Sequence, residues 1–136
     1  MAPSGVAGCD NPPMKISRDT AEGRNAFTAY GPGYVDVNGK RYASSLVVSG
    51  ERLIADWPAE SIGALKADHL AAIVELAPEI VLLGTGGAFR FPEPSLLAPL
   101  HQARIGVEVM DTPAACRTYN ILLGEGRNVV AAIIVP

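Results

Sequence analysis

Apolar residues change their spacing part-way along this chain. Between positions 27 and 56 they alternate or fall in short runs broken by glycine and proline. Residues 27–30, 34–37, 40–43, 46–48 and 52–56 therefore read as strands. Asn38-Gly39, between two such runs, predicts a type I′ hairpin turn. Gly31-Pro32-Gly33 and Ser49-Gly50 mark the other breaks. This first half is expected to form an antiparallel meander, closed by Trp57-Pro58. Residues 61–65 offer one loose helical turn. From position 66 the spacing becomes helical. Leu70, Ile73, Val74 and Ala77 stand at i, i+3, i+4 and i+7 of a helix over 66–77, which Pro78 ends. Residues 79–83 form a short apolar strand of the kind buried on both faces of a sheet. The loop Gly84-Thr85-Gly86-Gly87 follows. A helix over 95–104 turns Leu96, Leu97, Leu100 and Ala103 inward, and Gly106 ends it.

The stretch 107–123 is the most informative in the chain. Val107 and Val109 are β-branched and suit a strand. Asp111-Thr112-Pro113 then changes the period. Thr112 suits an N-cap, because its hydroxyl can accept from a free amide of the first helical turn. Pro113 suits the first helical position, where its missing N–H costs nothing. Ala115, Tyr119 and Leu122 line one face of a helix over 113–123, and Gly124 is the expected stop. A last apolar strand covers 128–135. Strand 79–83, helix 95–104 and strand 107–110 make a strand–helix–strand unit, so the two strands should be parallel with a right-handed crossover.

The chain of 136 residues is long enough for one domain with a real core. Its first 13 residues carry three prolines and no periodicity, and are expected to be a disordered tail before a single domain over 14–136. A net charge of −3 argues against nucleic acid as a partner, since phosphate contacts need a basic surface. Cys9 and Cys116 are too few for a disulfide framework. No apolar run reaches the roughly 18 residues a membrane span requires. Val6-Ala7-Gly8-Cys9 looks like a lipid-attachment box but lacks the preceding apolar segment. A cytoplasmic location is the expectation. Two histidines and two cysteines, all far apart, make no metal site, and no cofactor is expected.

Gly84-Thr85-Gly86 after a buried strand, then Met110, Thr112, Ala114, Ala115, Cys116, Arg117, Thr118, Tyr119 and Asn120, then Gly126 and Arg127, form a recognisable series. It resembles the single-domain family that includes a mitochondrial respiratory complex I assembly factor, bacterial and archaeal relatives, and an adipogenesis-associated animal protein. Val37-Asn38-Gly39 and Trp57 also suit it. The resemblance covers roughly residues 14–136 and is more specific in the second half. It implies a three-layer α/β fold: a mixed central sheet flanked by helices, with an N-terminal antiparallel β-meander layer. It implies no catalytic set. Its functional implication is binding or assembly through protein partners, as for a membrane complex such as respiratory complex I.

Candidate site residues cluster around the ends of two strands. Gly84, Thr85, Gly86, Asp111 and Thr112 should lie at the carboxyl ends of neighbouring parallel strands, where open α/β sheets bind ligands. The glycines either admit a ligand to the backbone or simply allow a tight exit from the strand. No Walker or dinucleotide pattern is present, as Phe89 stands where a third glycine would be. Arg117 either clamps an anion above the helix start or pairs with Asp111 or Glu108. Cys116 is either a reactive thiol near a helix start or a small buried one. Asn120 and Arg127 are candidate polar lining, Asn120 being equally suited to satisfying a backbone group. Trp57, with Tyr34 and Tyr42, is either an exposed contact patch or core. Two functions follow: a non-enzymatic protein-binding or assembly protein, or a domain that binds or transforms a small anionic molecule in that crevice. Monomer and homodimer both remain open.

Overall fold

The computed structural model describes residues 14–15 and 24–135. The expected tail over 1–13, with Cys9 and its lipid-box look-alike, lies outside the described residues.

Two sheets organise the chain. Strands β1 (Met14–Lys15), β2 (Phe27–Gly31), β3 (Tyr34–Val37) and β4 (Lys40–Tyr42) form an antiparallel sheet in chain order. Asn38 and Gly39 take φ values of 53° and 85°, as the two central residues of a type I′ turn require. Strands β5 (Leu46–Ser49), β6 (Leu53–Ile54), β7 (Ile80–Thr85), β8 (Gly106–Met110) and β9 (Val129–Ile134) form the central sheet, in the order β6-β5-β9-β7-β8. β9 is parallel to β7 and antiparallel to β5, and β7 is parallel to β8.

The meander is therefore shorter than the alternation implied. β5 and β6 belong to the central sheet, with Val47 opposite Ala132 of β9. The reason is burial: Leu46, Val47 and Val48 are all enclosed, so this strand needs cover on both faces.

Three helices complete the layers. α1 (Ala67–Val74) and α2 (Ala98–Gln102), with 3₁₀ turns at Ile62–Ala64 and Pro94–Leu97, cover one face of the central sheet. α3 (Thr112–Gly124) and the meander cover the other. α1 stops before Ala77, which takes φ 51° and is exposed rather than inward. Pro94 and Pro99 split the expected second helix into a 3₁₀ turn and a short α-helix, and Ala103 is exposed beyond it. Gly126, with φ 81°, ends α3 instead of Gly124. Its N–H donates to Leu123 O at 3.0 Å, and that of Arg127 to Leu122 O at 3.0 Å.

Trp57 is core. It is buried, and its indole N–H donates to the His69 carbonyl at 3.3 Å. Phe27 of the meander and Tyr119 of α3 meet edge to face at 5.2 Å, which ties the added sheet to the helix beneath it.

Candidate functional site

The parallel run of β7 and β8 brings Gly84, Thr85, Gly86, Asp111 and Thr112 to one end of the sheet. The Thr85 and Thr112 hydroxyls and one Asp111 carboxylate oxygen are engaged with the adjoining backbone. The Asp111 carboxylate, rather than Thr112, caps α3, accepting from the Ala114 N–H at 2.9 Å. Thr112 lies inside the helix and is fully buried. Its hydroxyl donates to the Ile134 carbonyl at 2.6 Å and accepts from the Gly86 N–H at 2.9 Å. Its own N–H donates to Gly86 O at 2.8 Å. One residue thus ties the start of α3 to the ends of β7 and β9.

Gly84 makes that closeness possible. A Cβ there would lie 2.8 Å from Thr112 Oγ1 and 2.9 Å from Ile133 Cδ1. Gly86 takes φ 101°, a backbone that side chains disfavour. Between them Thr85 turns its hydroxyl to the following loop, donating to Ala88 O at 2.7 Å and accepting from the Arg90 N–H at 3.2 Å.

The other candidates diverge. Cys116 is fully buried, and burial pushes its thiol well above the ordinary value, outweighing the opposing pull of Arg117. Asn120 grips the meander, as its amide donates to Phe27 O at 2.8 Å and its carbonyl accepts from Phe27 N at 3.0 Å. It thereby supplies strand-like partners beside the irregular register between Phe27 and Ala29. Arg117 pairs with neither Asp111 nor Glu108; its guanidinium donates to the Tyr30 hydroxyl at 2.7 Å.

Arg127 sits at the opposite end of the sheet. It holds Glu79 through Nε and Nη2, at 3.0 and 2.9 Å. That pair and the Asn128 N–H hold the Glu79 carboxyl below its usual range. Arg127 lines an open cleft of about 500 Å³ with Arg24, Arg52 and Glu75, away from the crevice. Among the described residues no three His, Cys, Asp or Glu side chains are grouped to hold a metal.

Two residues that the sequence pattern did not single out are conspicuous on the surface. Phe89 and Phe91 are each 57% exposed, on the loop that Thr85 braces. The signal lay in Phe89-Arg90-Phe91-Pro92-Glu93-Pro94, two aromatics in a proline-rich loop with no periodic element to bury them.

The family described as a protein of unknown function (DUF498/DUF598) matches residues 27–134. The chain belongs to that family. This DUF498/DUF598 member is similar to a 13 kDa major membrane protein of Francisella tularensis, 30% identical over 122 residues, 89% of this chain and 99% of the relative. It is also similar to the NADH dehydrogenase (ubiquinone) 1 alpha subcomplex assembly factor 3 of Xenopus tropicalis, 32% identical over 124 residues, 90% of this chain and 67% of that protein. A crystal structure of a Bordetella parapertussis protein superposes with a TM-score of 0.77 at 42% identity, covering 81% of this chain and 94% of that one. The α/β fold is thus shared with a solved bacterial structure, and one relative of this chain is named as an assembly factor. Among the described residues no helix is long and apolar enough to cross a membrane.

Proposed function

We propose that this chain is a binding protein of the assembly type. It acts by holding a protein partner, and that partner is a membrane-associated respiratory enzyme of the NADH dehydrogenase kind. The observation that carries the proposal is the pair of exposed rings on a braced loop, in a chain similar over 90% of its length to a named assembly factor. Aromatic side chains are favoured at the buried centres of protein interfaces. Covering the exposed part of one phenylalanine contributes about 1–2 kcal/mol. The crevice residues support the same reading, because the Thr112 hydroxyl and the Asp111 carboxylate already serve the fold.

The test is affinity capture from gently solubilised membranes of the source organism, with the intact chain as bait. The expected outcome is stoichiometric recovery of NADH dehydrogenase subunits by the wild type and their loss with Phe89→Ser/Phe91→Ser. Equal recovery by the double variant would remove the loop from the interface. A clean bait that instead shows a saturable thermal shift with a small anion would favour a ligand-binding role.

A further inference from the structure

β8 ends the central sheet. On one side it pairs with β7 in an unbroken register, Ile80 with Gly106 through Gly84 with Met110. On the other side, among the described residues, no strand lies beside it. The Gly106 N–H donates to Glu79 O at 3.0 Å, towards β7. Backbone groups alternate sides along a strand. Gly106, Glu108 and Met110 therefore turn their amides and carbonyls inward to the ladder, and Val107 and Val109 turn theirs outward. Those four outward groups form a template for one more strand.

Proteins blunt such edges with proline, bulges, lysine or very short strands. The opposite edge of this sheet, β6, is only two residues long. β8 has five residues, no proline and no bulge. Its one charged residue is Glu108, which is exposed. Glu108 lies opposite Leu82 of the α3-side core, so it stands on the α3 face of the sheet. Val107 and Val109 pack, half-buried, against the α1 and α2 layer on the other face.

We propose that the β8 edge is a docking site for an extended segment of a protein partner, which adds a sixth strand and places lysine or arginine opposite Glu108. The outward amides and carbonyls of Val107 and Val109 select an extended backbone. The residue facing Glu108 across the new ladder shares its face at a Cβ distance of about 5 Å, where opposite charges attract and like charges repel. The residues flanking it face Val107 and Val109 and suit small apolar side chains. The same charge disfavours a second copy of this chain. Residues 107–109 read Val-Glu-Val in both directions, so the valines of two copies would match in an antiparallel pairing. That two-fold pairing sets Glu108 directly against Glu108. The glutamate thus discriminates against self-association while leaving the edge open to a basic strand.

This inference rests on the reading of the chain as a partner-binding protein and assigns it a surface separate from the phenylalanine loop. The experiment is an NMR titration of the full chain with acetyl-Thr-Val-Lys-Val-Thr-amide and with the same peptide carrying glutamate for lysine. With the lysine peptide, the Val107 and Val109 amides should shift, and their exchange with solvent should slow by about tenfold at saturation. The glutamate peptide should bind about tenfold more weakly. Val109→Pro removes one outward donor without touching the ladder to β7, and should abolish the effect. Glu108→Lys should reverse the peptide preference whether or not the proline variant folds. No change at Val107 and Val109 with millimolar lysine peptide, an unreversed preference in Glu108→Lys, or wild-type dimers protected at these same amides would each overturn the proposal. Capture that survives without peptide binding would discard the edge and keep the assembly role; peptide binding without capture would do the reverse.

Discussion

Replacing Thr112 with valine tests whether the crevice is a joint of the fold or a vacancy for a ligand. The change keeps the shape and removes the hydroxyl, which is fully buried and makes two hydrogen bonds. The Gly86 N–H loses its acceptor, and an unsatisfied buried donor costs about 1–3 kcal/mol. The Ile134 carbonyl loses a short donor as well, though an oxygen with two lone pairs suffers less. Together the loss should be about 2–4 kcal/mol. That is a large share of the stability of a typical domain, which is about 5–15 kcal/mol. For a chain of this length it corresponds to a fall in Tm of about 6–12 °C. Urea unfolding followed by circular dichroism measures it, with the midpoint falling at constant slope. Thr112→Ser is the control: it keeps both hydrogen bonds, loses one methyl group and should cost about 1 kcal/mol. A Thr112→Val protein within about 0.5 kcal/mol of wild type would refute the reasoning, since that small change is typical of a residue no buried contact depends on.

Two further outcomes follow from the same geometry. In a Cys9→Ser background, Cys116 should not react with a thiol reagent at pH 8 until the protein unfolds, because it is buried and its thiol is held above its ordinary pKa; reaction in native buffer at the rate of a free thiol would contradict this. The Glu79 carboxyl, lowered by its hydrogen bond from Arg127, should titrate closer to its ordinary value of 4.5 in Arg127→Ala, as read by carboxyl NMR. A depressed carboxylate stabilises the fold above its unfolded pKa, so any stabilisation from this pair is present above about pH 4.5 and lost as pH falls through the lowered folded value. An unchanged Glu79 titration would show that the pair does not form in solution.

The second half of the chain was legible because its signals are local. Helical spacing over Ala115, Tyr119 and Leu122, a turn at Asp111-Thr112-Pro113 and apolar runs at 79–83 and 128–135 each specify an element from neighbours alone. The assignment of β5 was not legible by alternation, because which strand it joins depends on β9, about 80 residues later. The enclosed run Leu46-Val47-Val48 did carry a hint, since three consecutive apolar residues suit a strand covered on both faces. Arg127 illustrates a different failure. It precedes β9, and β9 runs parallel to β7, so six residues of strand, about 20 Å, separate it from the end where Gly84 and Thr112 meet. The topology alone placed it at the wrong end for the crevice. The bond from Arg117 to Tyr30 was invisible for the opposite reason: it joins residues 87 apart in sequence through a sheet whose position on α3 no local pattern reports.

A motif that identifies a family need not touch the family's ligand. In Gly84-Thr85-Gly86, the first glycine admits the start of α3, the last supplies a left-handed turn and a bonded amide, and the threonine holds the loop that follows. Each of these tasks restricts the residue type strongly, and none requires contact with a partner. The surfaces proposed above for a partner are a different set of residues: Phe89 and Phe91, exposed on a loop whose first turn Thr85 fixes, and the edge of β8, held in register by its ladder to β7. Loops and edges have little need of particular side chains for folding, so they are free to vary with the partner. One fold can then carry different functions, because the joint that holds it together is separate from the loops and edges that face outward.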